Sequence, residues 1–247
     1  MVNLHIDWGV LWEQSPTGDG PYWQLLLTGL QWTTATALSG WLIALLVGAA
    51  VGVARTTPLR WLVLLGDAYV EIFRNIPFLV QLFFWFFVLP ELVPENLGNW
   101  MKQDMPNPEF VTATFGLGLF TAARVAEQVK SGILSLSRGQ KSAGLALGLT
   151  LPQTYRHVLL PMAVRIIIPP LTSEFMNTFK NSAVALAIGL TELTFQMKQM
   201  VEYSSQVIVT ILAVTVLYMA VALVVNRLMA WIERKARVPG MIVGGGK

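Results

Sequence analysis

The sequence predicts an all-α integral membrane protein with about five transmembrane helices. Three observations carry that expectation. The 247 residues are 54% hydrophobic and only 13% charged, with a mean hydropathy of +0.58. That composition excludes a disordered chain and argues against a water-soluble domain. Apolar runs of about 20 residues recur, and at about 1.5 Å per residue such a run crosses a hydrocarbon core. Lys and Arg concentrate in alternate connecting segments, the pattern that orients membrane helices.

The pI of about 9.3 follows from that one-sided excess and calls for no nucleic acid partner. There is no cysteine, so disulfides, thiolate nucleophiles and thiolate metal sites are excluded. The two imidazoles, His5 and His157, stand far apart in sequence, and no metal site is expected. No G-x-x-x-x-G-K-[ST] loop occurs, so this chain is not expected to bind ATP or any other cofactor, or to act as an enzyme. A basic region followed by an apolar run and a cleavage site is missing at the amino terminus, so no cleaved signal is expected.

In chain order, residues 1–28 read as an exterior, interfacial segment. It holds Asp7, Glu13 and Asp19 but no Lys or Arg. Trp8, Trp12, Trp23 and Trp32 suit a membrane interface, where an apolar ring meets a wet edge. The first span is expected at about 29–54. Its Gly48-x-x-x-Gly52 either lets another helix approach closely or reflects the tolerance of membrane helices for glycine. A second span, about 61–89, is interrupted by Asp67, Glu71, Arg74, Asn75 and Pro77, where proline withholds an amide donor. Beyond it, Gln81 is a lone polar side chain among aromatic and aliphatic residues. Residues 90–108 read as a polar connection, and a third span as about 109–134.

The stretch 140–161 cannot span, because Lys141, Gln153, Arg156 and His157 are too polar for hydrocarbon. Two short helices fit it. The first runs over about 139–147 and ends at Gly148, since glycine tolerates positive φ. The second is capped by Thr150, with Pro152 in its first turn. Ala143, Ala146, Leu147, Leu149 and Leu151 put apolar surface on a segment facing water, which suggests a protein docking site. A fourth helix is expected near Pro161, carrying Pro169, Pro170, Glu174, Asn177, Lys180 and Asn181. Residues 182–194 read as a turn and a partly embedded apolar piece. The last span covers about 207–231, ahead of a basic tail, 234–247, with a flexible Gly-Gly-Gly-Lys end.

Charge fixes the expected orientation. Arg55 and Arg60, then Lys130, Arg138, Lys141, Arg156 and Arg165, then Arg227, Arg234, Lys235 and Arg237 fall on one side; Lys102 and Lys198 fall on the other. The amino terminus is then exterior and the carboxyl terminus cytoplasmic. The membrane domain would be 29–233, with the loop 138–161 in the cytoplasm.

The loop resembles the EAA loop of ABC-transporter permeases, whose pattern is Glu-Ala-Ala, three residues, Gly, nine residues, Ile, one residue, Leu-Pro. Ala143 and Gly148 hold their places, nine residues separate Gly148 from Val158, and Leu160-Pro161 close the motif. Ser142 replaces Glu and Gly144 replaces the second Ala. The stretch Tyr69-Val-Glu71-Ile-Phe-Arg74-Asn-Ile-Pro77-Phe-Leu-Val-Gln81 is similar to the second-helix signature of polar amino-acid ABC permeases. Thr121-Ala-Ala-Arg124-Val-Ala-Glu127-Gln128-Val-Lys130, together with Phe73-Arg74-Asn75-Ile-Pro77, looks closest to glutamate/aspartate permeases.

The resemblance runs from the first span to the basic tail. It implies a type I ABC importer fold in the bacterial inner membrane, with a periplasmic amino terminus. It also implies a second permease subunit, homologous or identical, a dimer of ATP-binding subunits holding ATP and Mg, and a periplasmic amino-acid-binding protein. Ser142, Ala143, Gly144, Leu147, Gly148, Leu160 and Pro161 would couple to the ATPase. Glutamate, aspartate and their amides remain open as substrates.

Candidate substrate residues are Arg124, Glu127, Arg74, Glu71, Gln81, Asn177, Lys180 and Asn181. An arginine at mid-span is costly unless it faces a cavity or a partner, and a guanidinium binds carboxylate as a fork. Glu71 with Arg74, and Arg124 with Glu127, stand three apart and share a helix face. The competing reading is mutual neutralisation inside the bundle. Glu174, Asn177 and Asn181 form a polar stripe at i, i+3, i+7, which equally suits hydrogen bonding between helices. A different class, an ion-coupled secondary transporter or channel, would use the same intramembrane charges as a relay. Five spans and no inverted repeat argue against it. A membrane enzyme lacks any paired nucleophile and base.

Overall fold

A computed structural model describes residues 6–18 and 20–236, apart from the side chains of Arg138 and Ala236. His5, Asp19 and the tail expected to be flexible from Arg237 onward lie outside the described residues. Among the described residues the elements are helices, with a single isolated bridge between Gln14 and Pro21. A 3-10 turn at Trp8–Trp12 precedes α1, Tyr22–Ala54. There follow α2, Arg60–Asn75, and α3, Phe78–Leu92. Next come α4, Glu95–Asn99, α5, Pro108–Leu134, and α6, Arg138–Ala146. The chain closes with α7, Leu151–Ile188, α8, Leu193–Ser204, and α9, Val207–Ala236.

Among the described residues α1, α7 and α9 are long and apolar enough to cross a membrane. The pair α2 and α3 makes a fourth if counted as one broken span. The 27-residue α5 has the length but not the composition, because Arg124, Glu127 and Lys130 sit in its carboxyl-terminal half.

Three expectations about element boundaries are corrected. The interruption expected within 61–89 is a full break into two helices: α2 ends at Asn75, Ile76 is extended, and α3 starts after Pro77. A proline disfavours helical φ/ψ in the residue before it, so the break falls at Ile76. The polar connection at 90–108 contains the end of α3, then α4 and a helical turn at Trp100–Asp104. The second short helix of the loop and the helix expected near Pro161 are one run, α7, beginning at Leu151.

Proline accounts for that continuity. π turns occur at Phe84–Val88, Trp100–Asp104 and Tyr155–Leu159. Each is followed by one residue and then a proline: Leu89-Pro90, Met105-Pro106, Leu160-Pro161. In each, the residue before the proline donates its N–H to a carbonyl five back. At Pro90 and Pro161, where the helix continues, the widened turn relieves the clash that a proline ring makes with the preceding turn of an α-helix. At Pro106 the helix has already ended at extended Met105.

The chain divides into two compact units. The first comprises Met1–Gly40, Pro77–Leu117 and Thr178–Val224; the second comprises Trp41–Ile76, Gly118–Asn177 and Val225–Lys247. In the first, Val10, Tyr22, Leu25, Leu26, Leu193, Met200, Val209 and Val214 form a core. Fully buried Glu192 caps α8, accepting from Thr194 N and Phe195 N at 2.9 Å each. Thr33 Oγ1 and Tyr218 OH donate to its Oε2 at 3.2 and 3.3 Å. Four protein donors thus meet the carboxylate, which makes its burial tolerable.

In the second unit, Ala44, Ala122, Val125, Val129, Ile133, Tyr155, Leu159, Ala163 and Ile167 form the core. Gly48 and Gly52 let α1 lie against α5. A Cβ at Gly48 would fall 2.6 Å from Val125 Cβ and 2.7 Å from the Ala122 carbonyl oxygen. One at Gly52 would fall 2.6 Å from Val129 Cβ. Of the two readings of this glycine pair, close approach is the one observed.

Candidate functional site

The site lies in the second unit and is built from three helices. The buried face of α5 is small, Ala122, Ala123, Val125, Ala126 and Val129. That face fixes the helix's rotation, so Arg124, Glu127 and Gln128, at i, i+3, i+4, point together away from the core. With Arg74 at the end of α2 and Glu174 on α7, they line a cavity of about 270 Å³. Most of its lining is charged, so it holds water or a polar guest in preference to an acyl chain.

The ion pairs differ from those expected. Glu127 does not neutralise Arg124. Its Oε1 lies 2.5 Å from Arg55 Nη1 and its Oε2 lies 3.3 Å from Arg74 Nη1. Arg124 Nη1 is 3.9 Å from Glu174 Oε2, at the long limit of an ion pair, and its guanidinium sits 4.9 Å above the Phe120 ring. Nor does Glu71 hold Arg74; Glu71 is exposed and has no ion pair among the described residues. Sharing a helix face was a weaker rule than cross-helix geometry, because long side chains reach whichever opposite charge lies over the adjacent groove. The Arg124 side chain remains 39% exposed and that of Arg74 50%, whereas Glu174 is at 14%. Two guanidiniums therefore face the cavity with donors to spare.

Behind Glu127 lies a layer the sequence reading passed over. Arg55, just past the end of α1, is buried with its side chain 6% exposed. Its Nε lies 2.7 Å from Asp67 Oδ1, which Lys130 Nζ reaches at 3.1 Å. Gly66 makes room for the arginine stem, since a Cβ there would come 2.5 Å from Arg55 Cγ. The readable signal was Arg55 and Asp67 with Gly66 on either side of a short turn. Arg55 was counted only as an orienting surface charge. Glu174 stands in the polar stripe and in the ion-relay alternative, and Gln128 inside the signature; neither is among the substrate residues expected from sequence.

The other candidates fall elsewhere. Asn177 belongs to the second unit and is partly buried, but does not line the cavity. Gln81, Lys180 and Asn181 belong to the first unit. Gln81 is buried on α3, Lys180 is exposed, and Asn181 is partly buried. They do not join Arg74, Arg124 and Glu127 in this cavity.

The loop after α5 has the local chemistry expected of it. Gly148, at φ +81°, ends α6. Gly148 N donates to Leu145 O and Leu149 N to Gly144 O, at 3.0 and 3.2 Å, a Schellman ending. Thr150 and Gln153 form a reciprocal capping box at the start of α7, with Pro152 in the first turn. Ser142, Ala143 and Leu147 are exposed, Leu147 by 82%, while Gly144 is buried against Thr154. A Cβ at Gly144 would lie 2.8 Å from Thr154 Cγ2, so glycine there lets α6 fold back on α7. Pro161 is exposed and Leu160 partly buried within α7.

Comparison with known proteins places this geometry. Residues 44–238 match the family described as binding-protein-dependent transport system inner membrane component. The chain is 47% identical, over the full length of both, to the glutamate/aspartate import permease protein GltJ of Escherichia coli. It is 38% identical to the probable glutamine ABC transporter permease protein GlnM of Bacillus subtilis, over 72% of this chain and 73% of that one. A solved amino acid ABC transporter with histidines superposes with a TM-score of 0.72 at 26% identity, covering 87% of this chain and 95% of the other. The helical architecture, with no strand among the described residues, is that of type I ABC importer permeases, and the chain belongs to the family of binding-protein-dependent inner-membrane transport components.

Proposed function

We propose that this chain is the membrane permease subunit of an ATP-driven importer of acidic amino acids, glutamate or aspartate. One observation carries the substrate class. A cavity large enough for a single amino acid presents two half-exposed guanidiniums, Arg74 and Arg124, in a chain alike over its whole length to a glutamate/aspartate import permease. A guanidinium fork suits a carboxylate. Glu127 and Glu174 offer acceptors for the substrate's ammonium group. Gln128 supplies a neutral donor and acceptor.

In this reading a periplasmic amino-acid-binding protein delivers the substrate to a pair of permease subunits. A dimer of ATP-binding subunits, holding ATP and Mg, seats against Ser142, Ala143 and Leu147 of α6. Gly144 and Gly148 shape that helix, and Leu160 and Pro161 lie on the segment carrying its motion into α7. The chain spans the inner membrane within residues 29–233, with the amino terminus periplasmic and the carboxyl terminus cytoplasmic. Arg74 and Arg124 exchange their protein carboxylates for those of the substrate, so net affinity stays modest and release remains easy.

The test is competition uptake with glutamate, aspartate and glutamine in membranes carrying matched protein levels. Arg124→Gln is expected to lose acidic substrates most. Equal loss of all three would make Arg124 structural and would overturn the assignment.

A further inference from the structure

Glu127 touches two arginines of different standing. Arg74 is half exposed and lines the cavity; Arg55 is buried and does not. Arg55 makes the shorter contact, 2.5 Å against 3.3 Å. It is also pinned from the other side by Asp67, and Gly66 leaves space for its stem. One carboxylate oxygen is therefore committed to a fixed cation, and Arg74 competes for the other alone. Arg55, Arg74 and Lys130 are linked to Asp67 and Glu127, and Arg124 pairs separately with Glu174. Four cations against three carboxylates leave one positive charge over.

We infer that Arg55 is a specificity-positioning residue for transport, acting through Glu127 without touching substrate. Holding Oε1 of Glu127 does two things. It denies Arg74 the two-point fork that would fold its guanidinium away from the cavity. It also leaves the site the single surplus charge that a monoanionic amino acid, with two carboxylates and one ammonium, neutralises. Glutamine, net neutral at the same size, leaves that surplus uncompensated. Discrimination between acid and amide then rests partly on a residue outside the binding surface. This rests on the reading of the cavity as the substrate site.

The test measures equilibrium binding of radiolabelled glutamate and glutamine to the permease complex purified from native membranes, without binding protein. Arg55→Gln is expected to lower the preference for glutamate over glutamine by about tenfold, within the range of coupling between linked sites. Arg55→Lys keeps the charge and is expected to keep the preference. Should Arg55→Gln fail to assemble, Gly66→Ala, which displaces the Arg55 stem and changes no charge, is expected to weaken the preference in the same direction. An unchanged preference in whichever of these two assembles, or a preference lost equally in Arg55→Lys, overturns the inference. If Arg124→Gln leaves glutamate binding intact, the reading of the cavity fails instead.

Discussion

The Tyr155 hydroxyl donates to the backbone carbonyl of Thr56 at 2.6 Å. Tyr155 opens the π turn of α7, within the stretch 138–161, and Thr56 follows Arg55. The hydroxyl, which also lies 3.2 Å from Thr56 Oγ1, thus links this stretch to the residue beside the buried arginine. Removing it with Tyr155→Phe is expected to cost about 1 kcal/mol. Amide hydrogen exchange at residues 138–155 should quicken, and transport per ATP hydrolysed should fall. Unchanged exchange in that segment would show the bond to be dispensable.

Ala143 on α6 and Leu147, the residue capping its carboxyl end, stand one turn apart and are both exposed. Ala143→Asp puts a charge on that face without touching the Schellman ending. ATP hydrolysis by the assembled transporter should lose its dependence on substrate while the chain still inserts in the membrane. Normal uptake would remove α6 from the docking role.

Gly48 has no room for a side chain, whereas a Cβ at Gly40 would meet only Leu117, at 3.3 Å. Gly48→Ala should destabilise the protein by about 1–3 kcal/mol through overpacking against the α5 backbone. Gly40→Ala should cost far less, because a leucine side chain can shift. Thermal unfolding in detergent separates the two, and equal melting points would contradict the helix contact.

Glu192 caps α8 and takes four hydrogen bonds from protein donors. Glu192→Ala should cost about 2 kcal/mol or more, from the lost cap and the donors left without an acceptor. The cost should appear in thermal unfolding in detergent.

A reporter fused after Lys247 should be cytoplasmic and one inserted near Asn96 exterior, as the basic residues direct. The reverse at either place would rule out the five-span arrangement.

Local chemistry was readable from the chain and cross-helix chemistry was not. Gly148, Thr150 and Pro152 act on neighbours within a few residues, so the loop's turn and cap followed directly from sequence. Pro77 marked the break between α2 and α3, although its sharpness depended on extended Ile76. The arginine partners were misassigned because Glu174 is 50 residues from Arg124, and Arg55 is 72 from Glu127. Spacing along one helix cannot rank such contacts. Pro161 misled in the opposite sense: read as a helix start, it sits inside α7 because the π turn before it absorbs the strain.

Gly148 combines φ +81° with open space, since nothing lies within 4 Å of a Cβ built there. The constraint at this position is therefore one of handedness and not of volume. An L-alanine would fit the space and strain the backbone by roughly 1 kcal/mol, whereas asparagine would be tolerated better. A D-alanine introduced by chemical ligation would adopt the same backbone without strain and would narrow the unfolded ensemble. The mirror-image residue should make the end of α6 firmer than the natural glycine does.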